Sequence, residues 1–193
     1  MTSSTTTIYT PFVIWMTGLP CSGKTTIAKN LNKFMPDLAI LDGDELRDWL
    51  SAKKDFSKNG RSQHNIVVTH IARLLLQHKI SCCVSLVSPY IENRQTARRI
   101  LGGKYKFVEV YVKCSLPICE ARDVNGMYVR TRKGEISQFT GIDDVYQIPS
   151  SPDLTIDTEN TSIDFATERI IHYLDYPRDH LNNIEKCQTQ KVK

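Results

Sequence analysis

Short apolar runs alternate with helical patterns along most of the chain. The apolar runs are rich in β-branched residues and do not alternate strictly with polar residues, which is typical of strands covered on both faces. They predict five strands, over residues 12–16, 38–41, 80–87, 107–112 and 154–156. The intervening patterns predict helices over residues 24–34, 62–78, 91–101, 116–122 and 162–174. This order predicts an α/β domain in which a mainly parallel five-stranded sheet lies between two helical layers.

Three segments fit neither pattern. Residues 123–146 are polar, contain three glycines and precede the last predicted strand, so we expect them to form a mobile lid. Residues 1–10 are rich in Ser and Thr, and we expect them to be disordered. Residues 177–193 are polar and are expected to form a loosely ordered tail. The predicted folded domain therefore spans residues 11–176.

Length and composition are those of one ordinary globular domain. The 193 residues suffice for a single core, and 40% hydrophobic with 24% charged residues is usual for a soluble protein. The net charge of +4 is mild and spread along the chain, which argues against a nucleic-acid partner. No apolar run has the length of a membrane span, and the first ten residues lack the pattern of a secretory signal. We therefore expect a cytoplasmic protein without membrane or nucleic-acid partners, with its six cysteines reduced.

A phosphate-binding motif follows the first predicted strand. Residues 18–25, GLPCSGKT, match G-x-x-x-x-G-K-[ST], with a strand before the motif and a helix after it. In such a P-loop the backbone N–H groups and the helix N-terminus bind phosphate oxygens. Lys24 is expected to reach the β- and γ-phosphates of ATP, and the Thr25 hydroxyl to ligate Mg²⁺. The predicted ATP-binding residues are Gly18, Leu19, Pro20, Cys21, Ser22, Gly23, Lys24, Thr25 and Thr26.

Cys21 lies inside this loop. We hypothesise that the helix N-terminus and Lys24 lower the pKa of its thiol, so that oxidation of Cys21 would block ATP binding. The alternative is an inert loop residue.

An acidic turn follows the second predicted strand. Its sequence, LDGDELR, places Asp42 and Asp44 beside a glycine at the carboxyl end of a strand, where α/β proteins position their chemistry. One of these carboxylates can accept a proton from an attacking hydroxyl or hold the water shell of a metal ion. Arg47 can pair with an anionic acceptor. The alternative is a helix N-terminus whose acidic residues suit the helix dipole.

Further motifs occur together along residues 13–158. They are Phe56-Ser57 with Arg61 and Asn65, VSPY at residues 87–90 with Arg94, VEVYVKCSLPICEARD at 108–123, GMY at 126–128, and GEI at 134–136 before FTGIDD at 139–144. With the P-loop and LDGDELR, they resemble the adenylylsulfate kinase family of P-loop kinases. The combination of D-G-D, S-P-Y and F-T-G-I-D makes this resemblance far more specific than the P-loop alone.

The resemblance implies a reaction and a set of residues. The γ-phosphate of MgATP passes to the 3′-hydroxyl of adenylylsulfate, which gives 3′-phosphoadenylylsulfate. Asp44 is implied as the carboxylate near that hydroxyl, and Phe56 and Phe139 as the aromatic faces around the acceptor adenine. The implied catalytic residues are Lys24, Asp42, Asp44 and Ser88. The implied acceptor-binding residues are Asp44, Arg47, Phe56, Arg61, Asn65, Val87, Ser88, Arg130 and Phe139.

The same resemblance implies three further features. Arg122 is expected at the entry to the lid, on the ATP side. The lid is expected to close over both nucleotides and exclude water. The family also suggests a homodimer.

The sequence departs from the family pattern in three places. Glu45 stands where the family usually has Asn, and residues 129–130 are Val and Arg where it has two lysines. Gly60 replaces an Asp before Arg61, and Asn65 lies one residue too far along the chain. Either Arg61 moves or the helix shifts to absorb this insertion.

These departures lie near the acceptor or the lid, and they motivate two alternatives. One is a kinase of the same fold that acts on another nucleotide, such as a cytidine diphosphate derivative. The other is a nucleotide-binding module without catalysis. The presence of Lys24, Thr25, Asp42 and Asp44 argues against the second alternative.

Overall fold

Five parallel strands form the centre of the protein. The computed structural model describes residues 10–50 and 55–176. The elements are β1 (Phe12–Thr17), α1 (Lys24–Phe34), β2 (Ala39–Asp42), α2 (Gly43–Leu50), α3 (Lys58–Gln77), β3 (Cys82–Ser85), α4 (Ile91–Leu101), β4 (Lys106–Lys113), α5 (Leu116–Arg122), α6 (Met127–Arg132), β5 (Leu154–Asp157) and α7 (Ile163–Leu174). The strand order is β2-β3-β1-β4-β5, and every neighbouring pair is parallel. The predicted α/β class and parallel sheet are confirmed.

Alternate residues of β1 face two separate cores. Ile14 and Met16 pack with α1 and α7, whereas Val13 and Trp15 pack with α3 and α4. Successive side chains of a strand point to opposite faces, so a strand covered on both sides must be apolar at nearly every position. All six residues of β1 are buried. The helices on both faces complete the three predicted layers.

Two helices were absent from the sequence-based expectation, and one starts earlier than expected. α2 and α6 have eight and six residues, which is too short for a clear helical period. α3 begins at Lys58 because the Ser57 hydroxyl caps it, accepting a hydrogen bond from the Gly60 N–H at 3.0 Å. The expected start at Ser62 was therefore wrong by one turn.

The carboxyl ends of the parallel strands lie at one edge of the sheet. β1 ends at Thr17 before the P-loop, β2 ends at Asp42 in the acidic turn, and β3 ends at Ser85 before the S-P-Y motif. In an open parallel sheet, ligands bind at this edge. The topology therefore brings together three motifs that are far apart in the sequence.

The predicted lid, residues 123–146, contains α6 and packs against the P-loop. Buried Tyr128 donates a hydrogen bond to the Pro20 carbonyl at 3.0 Å, and the Phe139 ring packs edge-on against Tyr128 at 4.9 Å. The mobility of this segment stays a prediction, as do the domain boundaries. The disorder expected at residues 1–10 and the tail at residues 177–193 fall, apart from Thr10, outside the described residues. Within the described ranges, no helix is long and apolar enough to cross a membrane.

Candidate active site

The P-loop is shaped by its two motif glycines. Gly23 has a φ of 102°, in the left-handed region that favours glycine, and it directly precedes α1. At Gly18 a Cβ atom would lie 2.4 Å from the Val112 carbonyl oxygen, so a side chain there would displace β4. The loop consequently lies close to the sheet, and the N-terminus of α1 follows it directly. Of the predicted ATP-binding residues, Thr26 lies exposed in the first turn of α1.

Lys24 folds back onto this loop. Its Nζ donates hydrogen bonds to the carbonyls of Gly18 at 2.9 Å and Leu19 at 2.7 Å, and contacts the Ser22 hydroxyl at 3.3 Å. Burial lowers the pKa of Lys24 to about 8, and the nearby Asp44 carboxylate opposes this shift. Uncharged oxygen atoms of the loop thus hold the ammonium group, and a bound anion could take their place as its partner.

Thr25 and Asp42 form an oxygen-rich pair beside Lys24. The Thr25 hydroxyl donates to Asp42 Oδ2 at 2.6 Å and lies 3.3 Å from the Ser85 hydroxyl. Asp42 Oδ1 accepts from the backbone N–H of Asp44 at 3.0 Å and so holds the first turn of α2. One carboxylate therefore links the P-loop to the acidic turn. Ser85 was not predicted, because nothing in its local sequence marks it.

Across the acidic turn, an aromatic ring is flanked by two arginines. The Phe56 ring lies 5.3 Å from the Arg47 guanidinium and 5.4 Å from that of Arg61. Both arginines are buried, and burial lowers the pKa of each. Two buried cations beside one aromatic face form a site suited to a planar anionic ligand.

Arg61 and Asn65 both lie in α3, one helical turn apart on the same buried face. That Arg61 or the helix shifts relative to the family pattern stays a prediction. The Asn65 side-chain amide donates to the Arg61 carbonyl at 2.9 Å. Arg61 donates from Nη2 to the Gln138 carbonyl at 2.8 Å and lies 3.5 Å from Asp144, so α3 is tied to the F-T-G-I-D motif.

Ser88 is the centre of a buried hydrogen-bond network. Its hydroxyl donates to Asn65 Oδ1 and accepts from the Trp15 indole N–H at 3.3 Å. Its carbonyl accepts from Arg94 at 2.7 Å and from the Thr17 hydroxyl at 3.2 Å. The residue has a φ of 46°, a strained value for serine, which this network compensates. Ser88 thus fixes Asn65 relative to β1 and α4.

Asp44 lies exposed in the first turn of α2, between the two halves of the site. Its carboxylate is near enough to the P-loop and to the arginine pair to raise the pKa of both Lys24 and Arg47 against the larger effect of their burial. A carboxylate in this position can act on a ligand bound at either side.

The remaining predicted residues lie around this centre. Arg122 donates to the Cys21 carbonyl at 3.4 Å and to the Thr158 carbonyl at 2.8 Å, so it joins the lid entry to the P-loop. The Val87 carbonyl accepts from the Thr17 hydroxyl at 2.8 Å. Phe139 is buried against Tyr128, as described above. Arg130 is exposed and donates to Glu135 at 3.2 Å; among the described residues no hydrogen bond or ion pair joins it to the arginine pair.

The hypothesis that the Cys21 thiol has a lowered pKa was wrong. Burial raises the pKa of Cys21, the Asp123 and Asp44 carboxylates add to this, and the opposing charge of Lys24 does not compensate. The sequence placed Cys21 beside a cation but gave no indication that the Tyr128 and Leu116 cluster would cover it.

Two further residues at the site, Thr158 and Arg94, have no role that could be assigned from local sequence. Thr158, after β5, donates from its hydroxyl to the Ser22 carbonyl at 2.8 Å and so supports the P-loop from the far side. Arg94 is almost fully buried and bonds Glu109, the Ser88 carbonyl and the Gln147 carbonyl. Only the fold shows the three acceptors around Arg94.

A parallel α/β/α fold with a P-loop, an acidic turn and a buried arginine pair defines the class of the protein: a P-loop phosphotransferase. The family model for adenylylsulphate kinase matches residues 10–157. An adenylyl-sulfate kinase from Oceanobacillus iheyensis is 41% identical over 166 residues, covering 84% of this chain and 83% of its own. One from Pseudomonas aeruginosa is 38% identical over 169 residues, covering 86% of each chain.

Solved structures agree with this result. The APS kinase CysC of Mycobacterium tuberculosis, solved in complex with AMPPNP and APS, superposes with a TM-score of 0.80 at 35% identity, covering 86% of this chain and 98% of its own. The chain belongs to the adenylylsulfate kinase family and is an ATP-dependent kinase. The family resemblance and the fold predicted from sequence are confirmed.

Proposed function

We propose that this protein is an adenylylsulfate kinase that transfers the γ-phosphate of ATP to the 3′-hydroxyl of adenylylsulfate, giving ADP and 3′-phosphoadenylylsulfate. The observation that carries the proposal is the arrangement around Asp44. On one side of Asp44 lies a P-loop with a buried lysine, and on the other lies a buried arginine pair around Phe56. Family membership supports the same reaction.

The P-loop half binds the donor. Its backbone N–H groups and the N-terminus of α1 take the ATP phosphates, and the Lys24 ammonium leaves the loop carbonyls to neutralise the transferring group. Arg122 and Thr158 border the same loop and fit the nucleoside end of ATP. Phosphoryl transfer requires placement and charge neutralisation more than covalent chemistry, so these contacts supply much of the catalysis.

The arginine half binds the acceptor. Arg47 and Arg61 pair with the sulfate and phosphate oxygens of adenylylsulfate, and Phe56 stacks on its adenine. Asn65 is oriented by Ser88, which gives Ser88 a positioning role through its hydrogen bonds. Asp44 accepts the proton of the 3′-hydroxyl as it attacks.

The donor set beside the P-loop fits Mg²⁺. Thr25 and Ser85 contribute hydroxyls and Asp42 a carboxylate, which are the hard oxygen ligands that Mg²⁺ prefers. We propose that Thr25 ligates the ion and that Asp42 holds its water shell. When bound, Mg²⁺ neutralises charge on the β- and γ-phosphates.

The test is an assay of ADP release from MgATP with and without adenylylsulfate. We expect strong stimulation by adenylylsulfate and a product that co-elutes with 3′-phosphoadenylylsulfate. ATP binding without stimulation would refute the proposal and direct the search to other nucleotides with a free 3′-hydroxyl. The homodimer suggested by the family stays a prediction, which light scattering of the purified protein would test.

The pKa of Lys24 predicts a pH dependence of ATP binding. The protonated amine binds phosphate and the neutral amine does not, so raising the pH through the pKa of about 8 weakens binding. Calorimetric titration should give a similar Kd for MgATP below about pH 7.5 and a Kd about tenfold larger at about pH 9. The Lys24→Met variant should bind weakly throughout and lose this step. A Kd of the unmodified protein that stays constant to about pH 9 would contradict the assignment.

A further inference from the structure

Gly60 and Asp55 occupy complementary space at the start of α3. A Cβ atom at residue 60 would lie 2.4 Å from the Asp55 side-chain Cγ and 2.7 Å from the Asp55 carbonyl oxygen. Neither distance is tolerable, so any side chain at residue 60 would displace Asp55. The Asp55 carboxylate accepts a hydrogen bond from the Ser57 N–H at 2.8 Å, and this contact holds it over the first turn of the helix. Glycine at residue 60 therefore leaves the space that the Asp55 side chain occupies.

The electrostatics of α3 support the same pairing. This 20-residue helix has no acidic residue in its first turn, which instead contains Lys58 and lies beside Arg61. A helix N-terminus carries partial positive charge and favours a carboxylate nearby. Asp55 supplies that carboxylate from the preceding loop. The hydrogen bonds with Ser57, and next the charges of Arg47 and Arg61, lower the pKa of Asp55.

The segment that Asp55 anchors also holds the two arginines of the site. The Asp55 carbonyl accepts from Arg47 Nη1 at 3.1 Å, and the Phe56 carbonyl accepts from Arg61 Nε at 2.9 Å. The Phe56 ring centroid lies 5.3 Å from the Arg47 guanidinium and 5.4 Å from that of Arg61. Two consecutive residues thus orient both cations and the aromatic face. The Asp55 side chain joins these two residues to the start of α3 through the Ser57 N–H.

We propose that Asp55 is a positioning residue for the acceptor, and that Gly60 is required because the Asp55 carboxylate fills its side-chain space. The family resemblance places an aspartate directly before Arg61. Here residue 55 supplies a carboxylate to the same turn of α3, so the exchange at residue 60 is compensated. This inference rests on the proposed function, because the acceptor whose binding it describes is adenylylsulfate.

The experiment is a double-mutant cycle of Asp55→Gly and Gly60→Asp. Each single variant should raise the KM for adenylylsulfate about tenfold, since each disturbs the segment that holds the arginines. The KM for ATP should stay within about twofold, because the P-loop contacts are untouched. The double variant should recover most of the lost affinity, because Asp at residue 60 restores a carboxylate to the turn and Gly at residue 55 leaves room for it. Asp55→Asn keeps an acceptor for the Ser57 N–H and should be the mildest single change.

Two results would overturn the inference. One is a double variant whose fold-increase in KM for adenylylsulfate equals the product of the fold-increases of the two single variants. That result would show that the two residues act independently, because independent free-energy changes add. The other is an Asp55→Gly variant that loses ATP and adenylylsulfate affinity equally, which indicates general damage to the fold. Unfolding free energies of the same four proteins should show the same rescue without any substrate. A parent protein that ignores adenylylsulfate refutes the proposed function, whereas an active parent with unaffected variants refutes only the role of Asp55.

Discussion

Replacing Asp44 by Asn is expected to lower kcat for phosphoryl transfer by about 10²–10⁴-fold, the usual contribution of a positioned general base. The amide has the shape of the carboxylate but cannot take the proton of the attacking hydroxyl. ATP binding should persist, because the hydrogen bonds of Lys24 with the P-loop carbonyls and of Thr25 with Asp42 do not involve the Asp44 side chain. Single-turnover measurements with both substrates saturating separate this loss of chemistry from weaker binding.

The matched control for this variant is Glu45→Gln. Glu45 is the next residue of α2, is also exposed, and undergoes the same change of charge at the same helix terminus. We expect its kcat to stay within about twofold of the parent value, because Glu45 is exposed and substitutions of exposed residues usually have small effects. If Glu45→Gln is as impaired as Asp44→Asn, the effect belongs to the charge of the helix terminus and the proposed role of Asp44 is wrong. Unchanged turnover of Asp44→Asn would also refute it.

Replacing Arg94 by Met is expected to lower the free energy of unfolding by about 3–5 kcal/mol, the cost of breaking a buried ion pair by removing one partner. Arg94 is 2% exposed and donates to Glu109 at 3.0 Å and to two carbonyls at 2.7 Å. Met fills the volume but satisfies none of these acceptors. The Glu109 carboxylate would then remain buried, and among the described residues Arg98, at 3.4 Å, would be its one remaining ion-pair partner. Urea denaturation monitored by circular dichroism measures the change.

Arg98→Met provides the comparison, because Arg98 contacts the same carboxylate from the surface. Its side chain is 39% exposed, so water screens its ion pairs and we expect a loss of at most about 1 kcal/mol. Arg94→Lys should recover only part of the loss, since an ammonium group cannot reach three acceptors in the planar geometry of a guanidinium. Equal effects of Arg94→Met and Arg98→Met would show that burial of the pair does not set its contribution.

Asp44 and Arg94 differ in how much the local sequence indicates about them. Asp44 belongs to a short acidic motif at the end of a predicted strand, so its position at the site could be predicted from local sequence. Its role as a base stays a prediction. Arg94 lies in a helix with a second arginine four residues later, a pattern typical of a solvated face. Its burial depends on Glu109 in β4 and on the Gln147 carbonyl, which are 15 and 53 residues away in the chain. No local pattern encodes such a contact.

The sequence by itself determined the elements whose signals are local. The five apolar runs became the five parallel strands because a strand covered on both faces must be apolar throughout. The P-loop and the acidic turn were identified because their chemistry depends on residues that are adjacent in the chain. The family, too, followed from short motifs in a fixed order.

Only the tertiary structure decided which residues from distant segments of the chain come into contact. It tied α3 to the F-T-G-I-D motif through Arg61, and it partly buried Cys21, which raised rather than lowered the pKa of the thiol. It placed the Asp55 carboxylate in the space that Gly60 leaves open. The physical reason is common to these cases, because burial and close packing set the energy of a charged group. Both depend on the folded chain and not on the residues that neighbour the group in the sequence.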